Sequence, residues 1–154
     1  MNTLFDPFTL RGVTFQNRVW VSPMCQYSAT DGFVGAWHSA HLGAFATGAP
    51  GLIMVEATGV VPEGRISIGC PSIEDDAHAK AFAPMVEFAH SQGVKMGIQL
   101  AHAGRKASTM RPWDTTRMAK IGQGGWQAVS STDKAFEGYP APRALTVAEI
   151  AQLV

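Results

Sequence analysis

The chain is poor in cysteine, in charge and in long apolar runs. Of its 154 residues only 2 are cysteines and 16% are charged, with a formal net charge of zero. Two cysteines cannot staple a small secreted scaffold, and the spacing of Cys25 and Cys70 fits no zinc motif. A cytosolic pair is seldom a disulfide, so each reads first as a small buried hydrophobe. Balanced charge leaves no electrostatic footprint for nucleic acid. No segment approaches the ~20 apolar residues of a membrane span. Met1 to Phe8 has neither the basic start nor the apolar core of a signal peptide, so the cytoplasm is the expected compartment. What is present is a 46% hydrophobic composition, that of a globular domain.

The pattern along the chain is α/β. Two short strands, 4–9 and 12–15, are predicted around the turn Arg11-Gly12. Val19-Trp20-Val21-Ser22 reads as a strand that stops at Pro23, which cannot donate to a ladder. A helix fits 37–47 and ends at Gly48 and Pro50. Gly51 to Ala57 is a continuous apolar run of strand length, as in parallel strands buried on both faces. A second helix is predicted over 77–92, capped by Asp75 or Asp76 and ended by Gly93, with Pro84 expected to kink it. Lys95 to Leu100 makes a further strand. Residues 103–145 form a long excursion, and Thr146-x-x-Glu149 is a capping box that opens a third helix. The alternation implies parallel strands joined by right-handed crossovers.

Three strand ends carry polar or reactive groups. The first is Ser22-Pro23-Met24-Cys25-Gln26-Tyr27, the second Val55-Glu56-Ala57-Thr58, and the third Gly97-Ile98-Gln99-Leu100-Ala101-His102-Ala103-Gly104-Arg105-Lys106. In parallel (β/α)8 barrels the active site gathers at the C-terminal strand ends. A Gln in an apolar strand end needs a partner, because burying an unpaired amide costs roughly 1–3 kcal/mol. Glu56 reads as half of a structural ion pair, and His102 as a residue holding backbone. No basic residue or His adjoins Cys25 in sequence, so a nucleophilic role is not implied. His38-x-x-His41 lacks the further ligand that zinc requires, and no metal site is expected. Gly122-x-Gly124-Gly125 follows no strand and fails the dinucleotide test.

Together the three motifs resemble the old yellow enzyme family, and within it the cysteine-bearing branch that includes bacterial xenobiotic reductases. The resemblance runs from Leu4 to the last residue. It implies FMN-dependent ene-reduction on a (β/α)8 barrel, with NADPH or NADH as reductant and an activated alkene as small-molecule substrate. By that resemblance Pro23, Met24, Cys25, Ala57 and Gln99 contact the flavin, with Gln99 on its pyrimidine edge. Tyr27, Ile66 and Lys106 are the implied substrate-side residues. Residues 4–15 are the implied hairpin cap at the bottom of the barrel.

A complete barrel takes ~250 residues or more, so residues 1–154 are expected to be the N-terminal portion of one barrel domain. The implied His (or His/Asn) pair, the Tyr proton donor and the phosphate-binding segments would then lie in a complementary portion. No catalytic residue is expected in this chain, and a homo-oligomer is expected of the full enzyme. The strand edge and the apolar positions Val147, Ile150, Ala151 and Val154 would need that complement to cover them. Two other readings stand beside this one. An incomplete half-barrel without flavin could serve as an assembly piece that associates through open strand edges. An aldolase-like lyase would need a strand-end Lys, but Lys95 begins its strand and Lys106 lies beyond the loop turn.

Overall fold

The computed structural model describes residues 3–153. Val154, assigned from sequence to the apolar face of the third helix, lies outside them. The chain opens with an antiparallel hairpin, β1 (Phe8–Leu10) and β2 (Val13–Phe15), with Phe8 opposite Phe15. Its turn puts Arg11 and Gly12 at φ of 46° and 82°, the double left-handed turn that matches strand twist. The first strand is shorter than the span 4–9 predicted. The backbone before Phe8 turns on itself instead, where Asp6 N–H donates to the Thr3 carbonyl and the Asp6 carboxylate accepts from Thr3 N–H.

Three parallel strands come next in the order β3-β4-β5: β3 (Trp20–Val21), β4 (Leu52–Gly59) and β5 (Lys95–Ala101). Trp20 begins β3 and packs on the hairpin, its ring centroid 4.9 Å from Phe15 and 6.1 Å from Phe8. The hairpin thus sits under the N-terminal end of the strands. Helix α1 (Ala36–Thr47) links β3 to β4, and α2 (Asp76–Ser91) links β4 to β5. Asp75 caps α2 by accepting the His78 N–H at 2.9 Å. Pro84 lies inside α2 without ending it.

Both helices cover the same face of the sheet. Ile53 and Val55 of β4 pack there with Leu42, Phe82, Met85 and Val94, and Met96 and Ile98 of β5 border them. Because side chains alternate along a strand, Met54 and Gly97 turn to the opposite face. Among the described residues that inner face has no layer over it. This is why β5 is at most partly buried, with Lys95, Gln99 and Leu100 exposed, where the apolar neighbours of Gln99 imply burial.

The excursion is irregular yet tied down. It holds a single helical turn at Gly104–Lys106 and a parallel pair, β6 (Val129–Ser130) and β7 (Arg143–Ala144). The capping box forms as its spacing predicts. Thr146 Oγ1 accepts from Glu149 N–H, the Glu149 carboxylate accepts from Thr146 N–H, and they open α3 (Val147–Gln152). Its Val147 is 84% exposed.

Gly51 opens β4 where the backbone of Asn17 presses against it. A Cβ there would collide with the Asn17 carbonyl. Gly51→Ala should therefore force the two chain segments apart and lower stability by about 1–3 kcal/mol, as overpacking does. Urea unfolding of the variant checks this; an unchanged midpoint would contradict the close approach.

Candidate functional site

The site is built at the C-terminal ends of β3, β4 and β5. Register is its first determinant. Val55 pairs with Ile98, but the next pair is Ala57 with Gln99, so Glu56 is an extra residue in β4. Such a bulge re-aims the side chains beyond it. Without it Ala57 would continue the helix-facing set Ile53, Val55. With it, Ala57 returns to the inner face beside Gln99.

Glu56 itself is 4% exposed and anchors three elements. Its Oε2 accepts the Gln26 backbone N–H at 3.0 Å. Its Oε1 lies 3.3 Å from His38 Nε2 on α1, and His38 is 1% exposed. The other ring nitrogen, Nδ1, accepts the Gly35 N–H at the start of α1. The partner that the sequence leaves open for Glu56 is therefore His38, but because Nδ1 accepts an N–H the ring meets the carboxylate as a neutral imidazole and not as half of an ion pair. His41, one turn on, stands edge-on to Phe45.

Cys25 precedes this anchor and is half-buried. Its sulfur faces Cys70, which is wholly buried. Hydrogen bonding from the Cys70 thiol is the largest influence on Cys25 and lowers its pKa to about 7, with a further contribution from the Ala57 N–H. Burial and the Glu56 charge oppose this, and lose. The same interaction, with burial, pushes Cys70 far up, so Cys70 keeps its proton. The Cys25 and Cys70 sulfurs and a Glu56 oxygen all lie within 4.8 Å of one another. The separation is short enough to share an ion, but Glu56 is already engaged by Gln26 and His38. Nothing in sequence spacing signals this cluster. It arises because Ala29 N–H donates to the Gly69 carbonyl at 2.9 Å, joining two loops far apart in the chain.

Tyr27 comes two residues later at φ 52°, a left-handed conformation that non-glycine residues seldom adopt. Strain of this kind persists where the surroundings enforce it. Here Arg111, from the excursion, donates from Nε to the Tyr27 carbonyl at 3.0 Å. Trp113 meets the Tyr27 ring edge-on at 6.3 Å between centroids. Burial, and then the neighbouring sulfurs, push the Tyr27 phenol above its usual pKa, so it remains a hydrogen-bond donor. Tyr27 and Ile66 line one cleft of about 430 Å³ with Arg111, Arg117 and Tyr139. Sequence reasoning missed Arg111; its only local signal is its place before Pro112 and Trp113.

Of the remaining candidates, Pro23 is partly buried and Met24 is 44% exposed. Gln99 is exposed, and among the described residues its amide has no partner. His102 Nδ1 accepts the Gly104 N–H at 3.1 Å, so the ring holds backbone as expected. Lys106 is not part of the Tyr27 cleft. Its ammonium sits 4.1 Å over the Phe136 ring, with Arg105 at 5.9 Å from the same centroid.

The inner face thus offers a small residue and an uncommitted amide side by side, with an exposed Met and a low-pKa thiol on the loop after β3. An uncommitted amide beside a small residue can meet a planar group that presents both a donor and an acceptor. Comparison with known proteins gives the family. Residues 3–154 match the NADH:flavin oxidoreductase / NADH oxidase family, and the chain belongs to it. This is a family of FMN enzymes that use NADH or NADPH. The chain is 43% identical to the NADH:flavin oxidoreductase FG08077 of Gibberella zeae, across 97% of the chain and 38% of that protein. It is 52% identical to an NADPH dehydrogenase of Geobacillus thermodenitrificans, across 70% of the chain and 32% of that protein. Morphinone reductase, solved with tetrahydroNAD, superposes on 99% of the chain and 43% of its own with a TM-score of 0.81 at 26% identity. An old yellow enzyme homologue from Zymomonas mobilis does so on 99% and 42%, with a TM-score of 0.77 at 30% identity. The fold is therefore part of the old yellow enzyme barrel, and the chain spans about two-fifths of the length of these relatives.

This geometry sets two measurable outcomes. Alkylation of Cys25 by iodoacetamide should rise with pH through a midpoint at about 7 and level off about one unit above it, because the lowered pKa makes the thiolate dominant there. Peptide mapping across the pH series reads this; a midpoint at the ordinary thiol value would refute it. Glu56→Ala strips His38 and the Gln26 N–H of their buried partner at once. It should cost about 1–3 kcal/mol for each buried group left unsatisfied, read by urea unfolding.

Proposed function

We propose that this chain forms one wall of the flavin site of an ene-reductase acting on activated alkenes, α,β-unsaturated carbonyl or nitro compounds. The observation that carries the reading is Gln99: an unpartnered amide at a strand end, brought level with Ala57 by the Glu56 bulge. When bound, FMN supplies hydride transfer from NADH or NADPH to the β-carbon of such an alkene. Gln99 offers a donor and an acceptor to the matching pair on the flavin pyrimidine edge. Ala57 lets the ring approach the sheet closely, and Pro23 and Met24 flank its edge. Cys25 sets the local polarity beside it. Tyr27 donates its phenol proton in a hydrogen bond to the substrate oxygen, and Ile66 gives the cleft an apolar side. Lys106, held over Phe136, flanks the substrate side from the excursion.

The groups that hold the substrate oxygen and protonate the α-carbon, a His pair and a Tyr, belong in this reading to a complementary barrel portion. So do those that bind the FMN phosphate. That portion would also cover β5 and α3, where Leu100 is 62% and Val147 84% exposed. The complete enzyme is read as a homo-oligomer. No helix of the described residues is long and apolar enough to cross a membrane. Two free cysteines suit the reducing cytoplasm, where we place it.

The test is Gln99→Leu in the complete, assembled enzyme. Loss of the amide leaves flavin groups unpaired, so FMN affinity should fall by about 1–3 kcal/mol, up to roughly a hundredfold. Melting of the flavin-free protein should barely move, because the amide holds nothing there. Unchanged FMN affinity would remove Gln99 from the flavin site. Failure of the assembled wild type to take up any flavin would favour the reading in which the chain is only an assembly piece.

A further inference from the structure

The Cys25–Cys70 pair borders the strand-end site and the Tyr27 cleft, and Cys70 has no part in either. The two sulfurs and the Glu56 carboxylate lie within 4.8 Å of one another, and both thiols are free. Their approach is fixed by backbone on both sides. Ala29 N–H donates to Gly69 O at 2.9 Å, Cys70 N–H to Ser67 O at 3.0 Å, and Gln26 N–H to Glu56 at 3.0 Å. The two partners differ in kind. Cys25 is partly open to solvent, whereas Cys70 is 0% exposed behind it. A solvent-reached thiol backed by a second, sheltered one is the layout of an attacking and a resolving cysteine.

We propose that Cys25 and Cys70 are an oxidative modification site, in which a hydroperoxide oxidises Cys25 and Cys70 closes an intramolecular disulfide. The Cys25 thiolate attacks one oxygen of hydrogen peroxide. The O–O bond breaks, an S–O bond forms, and hydroxide leaves and is protonated to water. Sulfur loses two electrons and the peroxide gains them, giving the Cys25 sulfenic acid. The Cys70 sulfur then attacks the Cys25 sulfur. The S–S bond forms, the S–O bond breaks, and the hydroxyl departs with the Cys70 proton as a second water. In sum, two thiols and one peroxide give one disulfide and two waters. The lowered pKa of Cys25 favours the first step, because the thiolate is the nucleophile. The Cys70 proton is kept until the second step, where it leaves with the hydroxyl as water. The steps use no flavin, and they need Cys25 open to peroxide, so they belong to the protein with its flavin face open.

The experiment treats the purified protein with hydrogen peroxide, then denatures it without reductant and alkylates it. Intact mass should fall by two hydrogens, the alkylatable thiols should drop from two to none, and a Cys25–Cys70 cross-linked peptide should appear that dithiothreitol reverses. Cys70→Ser should instead accumulate Cys25 sulfenic acid, captured by dimedone. Cys25→Ser should leave Cys70 reduced under the same treatment. Two alkylatable thiols in treated wild type would overturn the proposal, as would Cys25 sulfinate beside a free Cys70. A disulfide between two chains rather than within one would do so too.

Discussion

A single carboxylate organises this chain. Glu56 is inserted as an extra residue in the central strand, buried, and met from one side by His38 and from the other by the Gln26 backbone. A buried carboxylate is costly unless its oxygens are engaged. Meeting that demand sets the position of α1, through His38 and its contact to Gly35, and the path of the Cys25–Tyr27 loop. The same insertion returns Ala57 to the inner face. One residue thus couples helix placement, loop placement and strand register.

The second constraint is the excursion. A long segment with little regular structure must find partners for its backbone polar groups. Here Thr109 exchanges backbone hydrogen bonds with Ile66 and Ile68, Trp126 Nε1–H donates to Glu63 O at 2.9 Å, and Arg111 spans to Tyr27 and Ala29. The excursion therefore acts as a clamp on the loops after β3 and β4. It holds Tyr27 in a conformation its own residue type disfavours.

Much of this is legible in the sequence, and for physical reasons. The apolar run from Gly51, the Asp75 cap and the Thr146-x-x-Glu149 box are local signals, and each forms where its chemistry requires. The three strand-end motifs are legible because loop polarity beside an apolar strand is conspicuous. What is not legible is long-range. No spacing rule connects Cys25 with Cys70, Glu56 with His38, or Arg111 with Tyr27, since each contact depends on two segments arriving at one place. A bulge is equally silent, because one extra residue leaves an apolar run looking unbroken. Burial of Gln99 is the natural reading of its apolar neighbours, yet Ile98 faces the helices while Gln99 faces the uncovered side.

That last contrast explains why the site's polar groups stay available. Side chains on the helix-covered face are fixed by packing, and the polar ones there, Glu56 and His38, are consumed by each other. On the inner face nothing competes for the Gln99 amide. Its geometry is nevertheless set, because β5 is paired with β4 along its whole length. A group that is positioned by backbone but unspent by side-chain contacts is what cofactor recognition requires: little is reorganised on binding, and no existing bond is broken to make the new one. The thiol pair obeys the opposite logic. Its two groups are already spent on each other, so their chemistry is internal and needs only an oxidant from outside.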